Sequence, residues 1–228
     1  RPRPISQTQV HSTRTNILFD CDTTPIPLSR LEFVHVPKTG GSFVEILAAQ
    51  HNVSWGACHY QRQIQDTKCP WSLPKLKAKN TWTHASEWHT PLAIRDELPQ
   101  WADNASLFMV VRNPYDRLVS EWNYVSQWNK NQPRKQDLLN VAYMNSWMQD
   151  HLRMVWENPP RGTYNLSQRS PVASTYYQLD SHLIPQADYW VPGILVLRAE
   201  TLYEDLTCLL QPLGWEIPSK KVNPSSGK

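Results

Sequence analysis

The chain contains no run of about 18 apolar residues, so no segment is long enough to cross a membrane as a helix. Its first residues, RPRPISQTQVHSTRTN, are polar, with neither an initiating Met nor an apolar segment. It therefore reads as a mature or trimmed chain from which any signal or anchor is already missing. No block of like charge stands out. The net charge of +3 is spread along the sequence, which argues against a general nucleic-acid binder but permits a local basic pocket for an anion. The four cysteines, Cys21, Cys58, Cys69 and Cys208, form no C-x2-C or C-x4-C pair and have no completing histidine cluster, which excludes the usual zinc patterns. Internal repeats and low-complexity segments are also missing.

What is present fits one domain with a real core: 228 residues, of which 40% are hydrophobic and 19% charged. An even cysteine count allows two disulfides in three connectivities, of which Cys58–Cys69 with Cys21–Cys208 is preferred here. Sequons begin at Asn52, Asn104 and Asn165. Together with 11 tryptophans these features lean towards a secretory lumen, the alternative being a cytosolic protein with four free thiols.

Residues 1–30 read as an extended arm, because Pro25 and Pro27 exclude a long helix. LEFVHV (31–36) is short, apolar and rich in β-branched residues, which predicts a buried strand. SFVEILAAQ (42–50) has helical apolar spacing, so strand, glycine turn and helix open a β-α-β unit. A second strand is expected at SLFMVVR (106–112), leading into NPYDRLVSEWNYVSQW, with Asn113 as helix cap and Pro114 in the first turn. A helix is expected over 138–156, a third strand at GILVLR (193–198), and a last helix from Ala199 to near Gly214. Alternating strands and helices predict an α/β fold: a single P-loop-like domain with a central parallel sheet and helices on both faces.

Ligands of open α/β sheets sit at the carboxyl ends of the strands. There, after the first strand, Lys38-Thr39-Gly40-Gly41-Ser42 offers glycine backbone N–H groups, a helix N-terminus, one ammonium and two hydroxyls, a set suited to phosphate or sulfate. It is not a Walker A loop, since Lys38 precedes the glycines and no Lys follows Gly41. The second strand ends in a similar set, Arg112 followed by Asn113-Pro114-Tyr115-Asp116-Arg117 and Ser120. Arg112 can clamp a phosphate through two N–H groups, and Ser120, about two turns along the helix, can reach it if the phosphate lies beside the helix. The plainer reading makes Asp116 and Arg117 surface ion-pair residues and Ser120 a packing serine; for Asp116 it is preferred.

HVPKTGGS resembles the 5′-phosphosulfate loop of sulfotransferases that use 3′-phosphoadenosine 5′-phosphosulfate, and VVRNPYDRLVSEW resembles their 3′-phosphate motif, in the family's order and about 70 residues apart. The branch most resembled is the Golgi carbohydrate type, and within it the heparan sulfate 6-O-sulfotransferase group, through THASEWHTPL and SEWNYV, while HLIPQADYW, LRAETLYEDL and KKVNPS resemble weaker signatures of the family. The resemblance implies a sulfotransferase domain over 31–228 that moves a sulfuryl group from this donor to a carbohydrate hydroxyl. It needs no metal and leaves 3′-phosphoadenosine 5′-phosphate as product. Lys38, Thr39, Gly40, Gly41 and Ser42 would hold the 5′ side, with Lys38 stabilising the leaving oxygen, and Arg112 and Ser120 would hold the 3′-phosphate. His84 would be the base, although His-Ala-Ser-Glu-Trp (84–88) displaces the Trp of the family segment.

His89 competes with His84, and the segment alignment favours His84. His35, inside a strand, reads as structural. His59, His151 and His182 have no motif support as bases, though His182 can line the acceptor cleft. Lys75, Lys77 and Lys79 suit either an anionic polysaccharide or a solvated loop. The acceptor stays open between a glycan, a peptide tyrosine and a small metabolite. A non-catalytic anion or nucleotide-binding domain is the reading from another class, and a kinase is the enzymatic rival, testable by Mg²⁺ and ATP. No nucleic-acid partner is expected, and membrane contact only through a missing N-terminal anchor.

Overall fold

The computed structural model describes residues 30–55, 89, 91–92, 102–128, 140–157 and 182–218. The arm expected over residues 1–30, apart from Arg30, and Cys21, Cys58, Cys69, His84, Lys75, Lys77 and Lys79 lie outside them. Three strands, β1 (Leu31–Val34), β2 (Ser106–Val111) and β3 (Leu195–Arg198), form one parallel sheet in the order β1-β2-β3. Phe33 pairs with Phe108, and Phe108 with Leu195, so the carboxyl ends of all three strands face the same edge. Between and after them come the helices α1 (Gly41–Gln50), α2 (Pro114–Trp128), α3 (Val141–Glu157) and α4 (Leu202–Leu210). The expected α/β architecture is the observed one.

Because strand side chains alternate, β2 feeds two cores. Leu107 and Met109 join Val34, Val36, Ile184, Tyr189 and Val196 on one face, and Phe108 and Val110 join Phe33, Val44, Leu47, Leu206 and Leu209 on the other. Burial on both faces is why 106–111 reads as an unbroken apolar run. α1 and α4 cover the Phe108 face. Among the described residues the opposite face is covered by a 3-10 turn (Gln186–Tyr189) and irregular segments around Leu92, Ala102 and Ile194. α2 packs on α3 through Trp122, whose ring lies 5.5 Å from Tyr143 and 5.4 Å from Trp147.

Element ends follow local chemistry. Pro114 starts α2 and the Asn113 side chain accepts the Tyr115 N–H at 2.9 Å, the expected cap. α3 begins three residues later than expected, because the Asn140 side chain accepts the Ala142 and Tyr143 N–H groups at 3.0 and 3.2 Å. The helix expected from Ala199 to Gly214 is divided. A 3-10 turn (Ala199–Thr201) precedes α4, and another (Gln211–Leu213) follows it, where Pro212 has no N–H to extend the α-helical ladder. Cys208, on α4, is disulfide-bonded, and its partner lies outside the described residues. Among the described residues no helix is long and apolar enough to cross a membrane.

Phe108 stands at the centre of the second core, fully buried, 5.2 Å from the Phe33 ring and 4.9 Å from the Trp55 ring. Phe108→Ala is expected to lower the unfolding free energy by about 3–5 kcal/mol. Urea denaturation should show an earlier midpoint with an unchanged slope.

Candidate functional site

The turn between β1 and α1 lies at the carboxyl edge of the sheet. Two residues in it adopt left-handed backbone, Lys38 at φ 66° and Gly40 at φ 104°. Glycine takes that conformation without cost, whereas for Lys38 it costs on the order of 1 kcal/mol. The result is a tight bend in which the N–H groups of Thr39, Gly40, Gly41 and Ser42 have no hydrogen-bond partner among the described residues. α1 begins here with no side-chain cap and no acidic residue in its first turn. Unsatisfied donors and an uncompensated helix dipole suit this turn to an anion.

Thr39 departs from expectation in one respect. It is fully buried, and its hydroxyl donates inward to the Val36 carbonyl at 2.9 Å. What it offers an anion is therefore its backbone N–H, while its side chain locks the bend. Gly41 is needed for space: a Cβ there would come within 2.8 Å of the His35 ring. That ring is held from the other side by Glu45 of α1, with Nδ1 and Oε1 2.8 Å apart and both residues buried. His35 is thus structural, as the sequence suggests, and joins the end of β1 to α1.

Lys38 places its ammonium 4.0 Å from the centre of the Tyr124 ring. Burial lowers its proton affinity below that of an ordinary lysine. Glu121 opposes the shift and Arg112 adds to it.

Arg112 follows directly on β2. Its N–H donates to Gln186 Oε1 at 2.8 Å, and its carbonyl accepts from Gln186 Nε2 at 2.8 Å. With its backbone held in this way, the guanidinium reaches across and donates through Nη1 to the Lys38 carbonyl at 3.4 Å. The two sequence motifs therefore meet: Arg112 and the Lys38 turn stand side by side at the ends of adjacent strands. The next N–H, of Asn113, donates to Glu200 Oε1 at 2.6 Å, and this bond holds the Glu200 carboxyl below the usual carboxylate range. Ser120 is half-buried on α2, with no partner among the described residues.

Arg117 overturns the surface ion-pair reading. It is buried, and its guanidinium donates to the carbonyls of Pro37, Ile184 and His182 at 2.9, 2.9 and 2.7 Å. Burial pushes its proton affinity down, opposed by Tyr189 and Glu121. Asp116 is exposed. One turn beyond Arg117, buried Glu121 lies 2.7 Å from Nδ1 of buried His182.

The base expected at His84 falls outside the described residues. Its rival His89 is buried between two other imidazoles, 4.9 Å from the His35 ring and 4.9 Å from the His182 ring. Gln186, Glu121 and Tyr124 went unassigned in the sequence. The signal for part of this was there: Arg117, Glu121 and Tyr124 fall at helical spacing, so polar residues occupy one face of α2.

Gly41→Ala is expected to lower stability by about 1–3 kcal/mol, because the new Cβ must displace the His35 ring. Thermal unfolding of Gly41→Ala in wild-type and His35→Ala backgrounds checks this. The penalty should shrink once the imidazole is gone.

Neither curated proteins nor solved structures give a match to the chain. The family model described as "Sulfotransferase family" matches residues 27–189, a span that contains both the Lys38 turn and the Arg112 motif. With well over half of its length covered by that model, the chain belongs to the sulfotransferase family.

Proposed function

We propose that the protein transfers a sulfuryl group from 3′-phosphoadenosine 5′-phosphosulfate to a hydroxyl of a carbohydrate. The observation that carries this reading is the meeting of two anion-binding elements at neighbouring strand ends, with Arg112 Nη1 3.4 Å from the Lys38 carbonyl. One phosphate alone would occupy one of them. A donor with phosphates at both ends of its ribose suits the pair.

In this reading the free N–H groups of residues 39–42 and the start of α1 hold the 5′ side, while Arg112 and Ser120 hold the 3′-phosphate. Lys38 faces the bond that breaks. An acceptor oxygen attacks sulfur in line, the S–O bond to the 5′-phosphate opens, and the ammonium stabilises charge on the leaving oxygen. A histidine takes the hydroxyl proton. His84 is the residue favoured by sequence and His89 the rival that lies beside His35 under the turn.

A carbohydrate acceptor is supported by a cleft of about 1280 Å³ beside the site, with Trp156, 82% exposed, and Arg153 on its wall. An open indole face suits a sugar ring, and an arginine suits an acidic substituent. Assignment to a Golgi or other secretory lumen is supported by the disulfide at Cys208 and by the three sequons.

Calorimetric titration with 3′-phosphoadenosine 5′-phosphate, without Mg²⁺ and beside ATP, tests the donor assignment. Micromolar binding of the bisphosphate and none of ATP is expected. Arg112→Ala should weaken bisphosphate binding by about 10- to 100-fold and leave 5′-AMP nearly unaffected. Equal losses for both ligands would remove Arg112 from the 3′-phosphate site. Lys38→Ala should cut turnover by about 10²–10³-fold with the fold intact.

A further inference from the structure

Two imidazoles near the Lys38 turn are paired with buried carboxylates, and they differ in what lies on their other side. His35, held by Glu45, has its ring against Gly41, so closely that no Cβ would fit between them. His182, held by Glu121, lines the cleft. Its Nδ1 is 2.7 Å from Glu121 Oε2, and its Nε2 has no partner among the described residues. An imidazole that donates Nδ1–H to a carboxylate presents a lone pair on Nε2. Glu121 itself is 1% exposed, and its Oε1 has no hydrogen-bond partner. An unmatched buried carboxylate oxygen is costly. Lys38 and Arg117 already offset part of that cost through space, and an imidazolium at His182 would add the one positive charge in hydrogen-bond contact with the carboxylate.

His182 also stands in the right company. Its ring is 5.3 Å from the Tyr124 ring, the same ring over which the Lys38 ammonium sits at 4.0 Å. The groups around it are Glu121 and Tyr124 of α2, the His89 ring, Arg117, whose guanidinium donates to the His182 carbonyl, and, across Tyr124, Lys38; Arg153, Glu157 and Asp188 line the same cleft.

Resting on the sulfuryl-transfer reading above, we propose that His182, in place of the His84 or His89 that the sequence suggests, is the proton acceptor for the attacking hydroxyl and that Glu121 positions it. The acceptor oxygen forms a bond to sulfur as its proton passes to His182 Nε2. The S–O bond to the 5′-phosphate breaks, and its electron pair leaves with the bisphosphate. Glu121 balances the imidazolium until the proton is released to solvent.

The test uses the full chain. Bisphosphate affinity is measured by calorimetry, and turnover as release of bisphosphate from the phosphosulfate donor, with water alone and with desulfated heparan chains as hydroxyl probe. His182→Asn should keep bisphosphate affinity within about twofold and lose about 10²–10³-fold in turnover, together with the rising limb of the pH–rate profile. Glu121→Gln should lose turnover without loss of affinity, and Glu121→Asp should recover part of it. Should either principal variant fail to fold, diethyl pyrocarbonate applied to the wild type replaces it: His182 should be modified at Nε2, and turnover lost with affinity kept. An unmodified His182, or turnover that survives its modification or substitution while His84→Ala or His89→Ala abolishes it, would overturn the proposal. So would a wild type that binds the bisphosphate but releases none from the donor. A wild type that binds no bisphosphate would instead overturn the donor reading, and this proposal with it.

Discussion

Three backbone carbonyls converge on one guanidinium, and the site depends on that convergence. Pro37 belongs to the Lys38 turn, and His182 and Ile184 to the segment that follows the long connection after α3. Neither stretch is part of the sheet, so no ladder satisfies these carbonyls. Buried acceptors without donors cost about 1–3 kcal/mol each. Arg117 supplies all three bonds from a rigid fork that lysine cannot imitate. α2 is the rod that carries the fork, and its register is set by the Asn113 cap and by Pro114. The motif residues thus have two tasks: Arg112 reaches across to the Lys38 turn, while Arg117, five residues on, holds the turn and the cleft wall at a fixed separation.

Gln186 repeats the device on a smaller scale. Its amide both gives and takes a hydrogen bond with the Arg112 backbone, as a neighbouring strand would. The end of β2 is thereby completed by a side chain from a 3-10 turn. The same short stretch, 182–186, supplies carbonyls to Arg117, an imidazole to Glu121 and an amide to Arg112. A shift of that stretch would disturb the turn, Arg112 at the end of β2 and the cleft wall together. This explains why the wall of the cleft can be irregular backbone and still be well placed.

Much of this was legible in the sequence, for reasons that can be stated. β1, β2 and β3 are buried on both faces, so each reads as a short apolar run, and the glycine turn and the Asn113-Pro114 start announce themselves locally. Lys38 and Arg112 could be paired because ligands gather at strand ends in such sheets. Arg117 could not be read correctly. A charged residue on an amphipathic helix is ordinarily exposed, and only carbonyls some 65 to 80 residues away bury this one. Gln186 was out of reach for the same reason, since its partner is distant in sequence; His182 was legible as a cleft residue but not as the partner of Glu121. The Thr39 hydroxyl shows the reverse limit: its type was right for an anion site, but the tight bend spends it on Val36.

The polar groups behind the turn form a column: Glu45, His35, His89, His182 and Glu121, with Lys38 and Arg117 alongside. Buried imidazole–carboxylate pairs, like other buried polar groups, seldom add net stability compared with well-packed apolar residues. Their value lies in geometry, because each satisfied pair admits only one arrangement of its partners. The two ends of the column differ in this respect. His35 and Glu45 are closed in by Gly41 and fix a bend. At the other end Glu121 keeps an unmatched oxygen and His182 an open nitrogen. A purely structural pair would gain from closing both. That the pair beside the cleft keeps an unmatched oxygen and an open nitrogen is the physical argument for the change of charge proposed there.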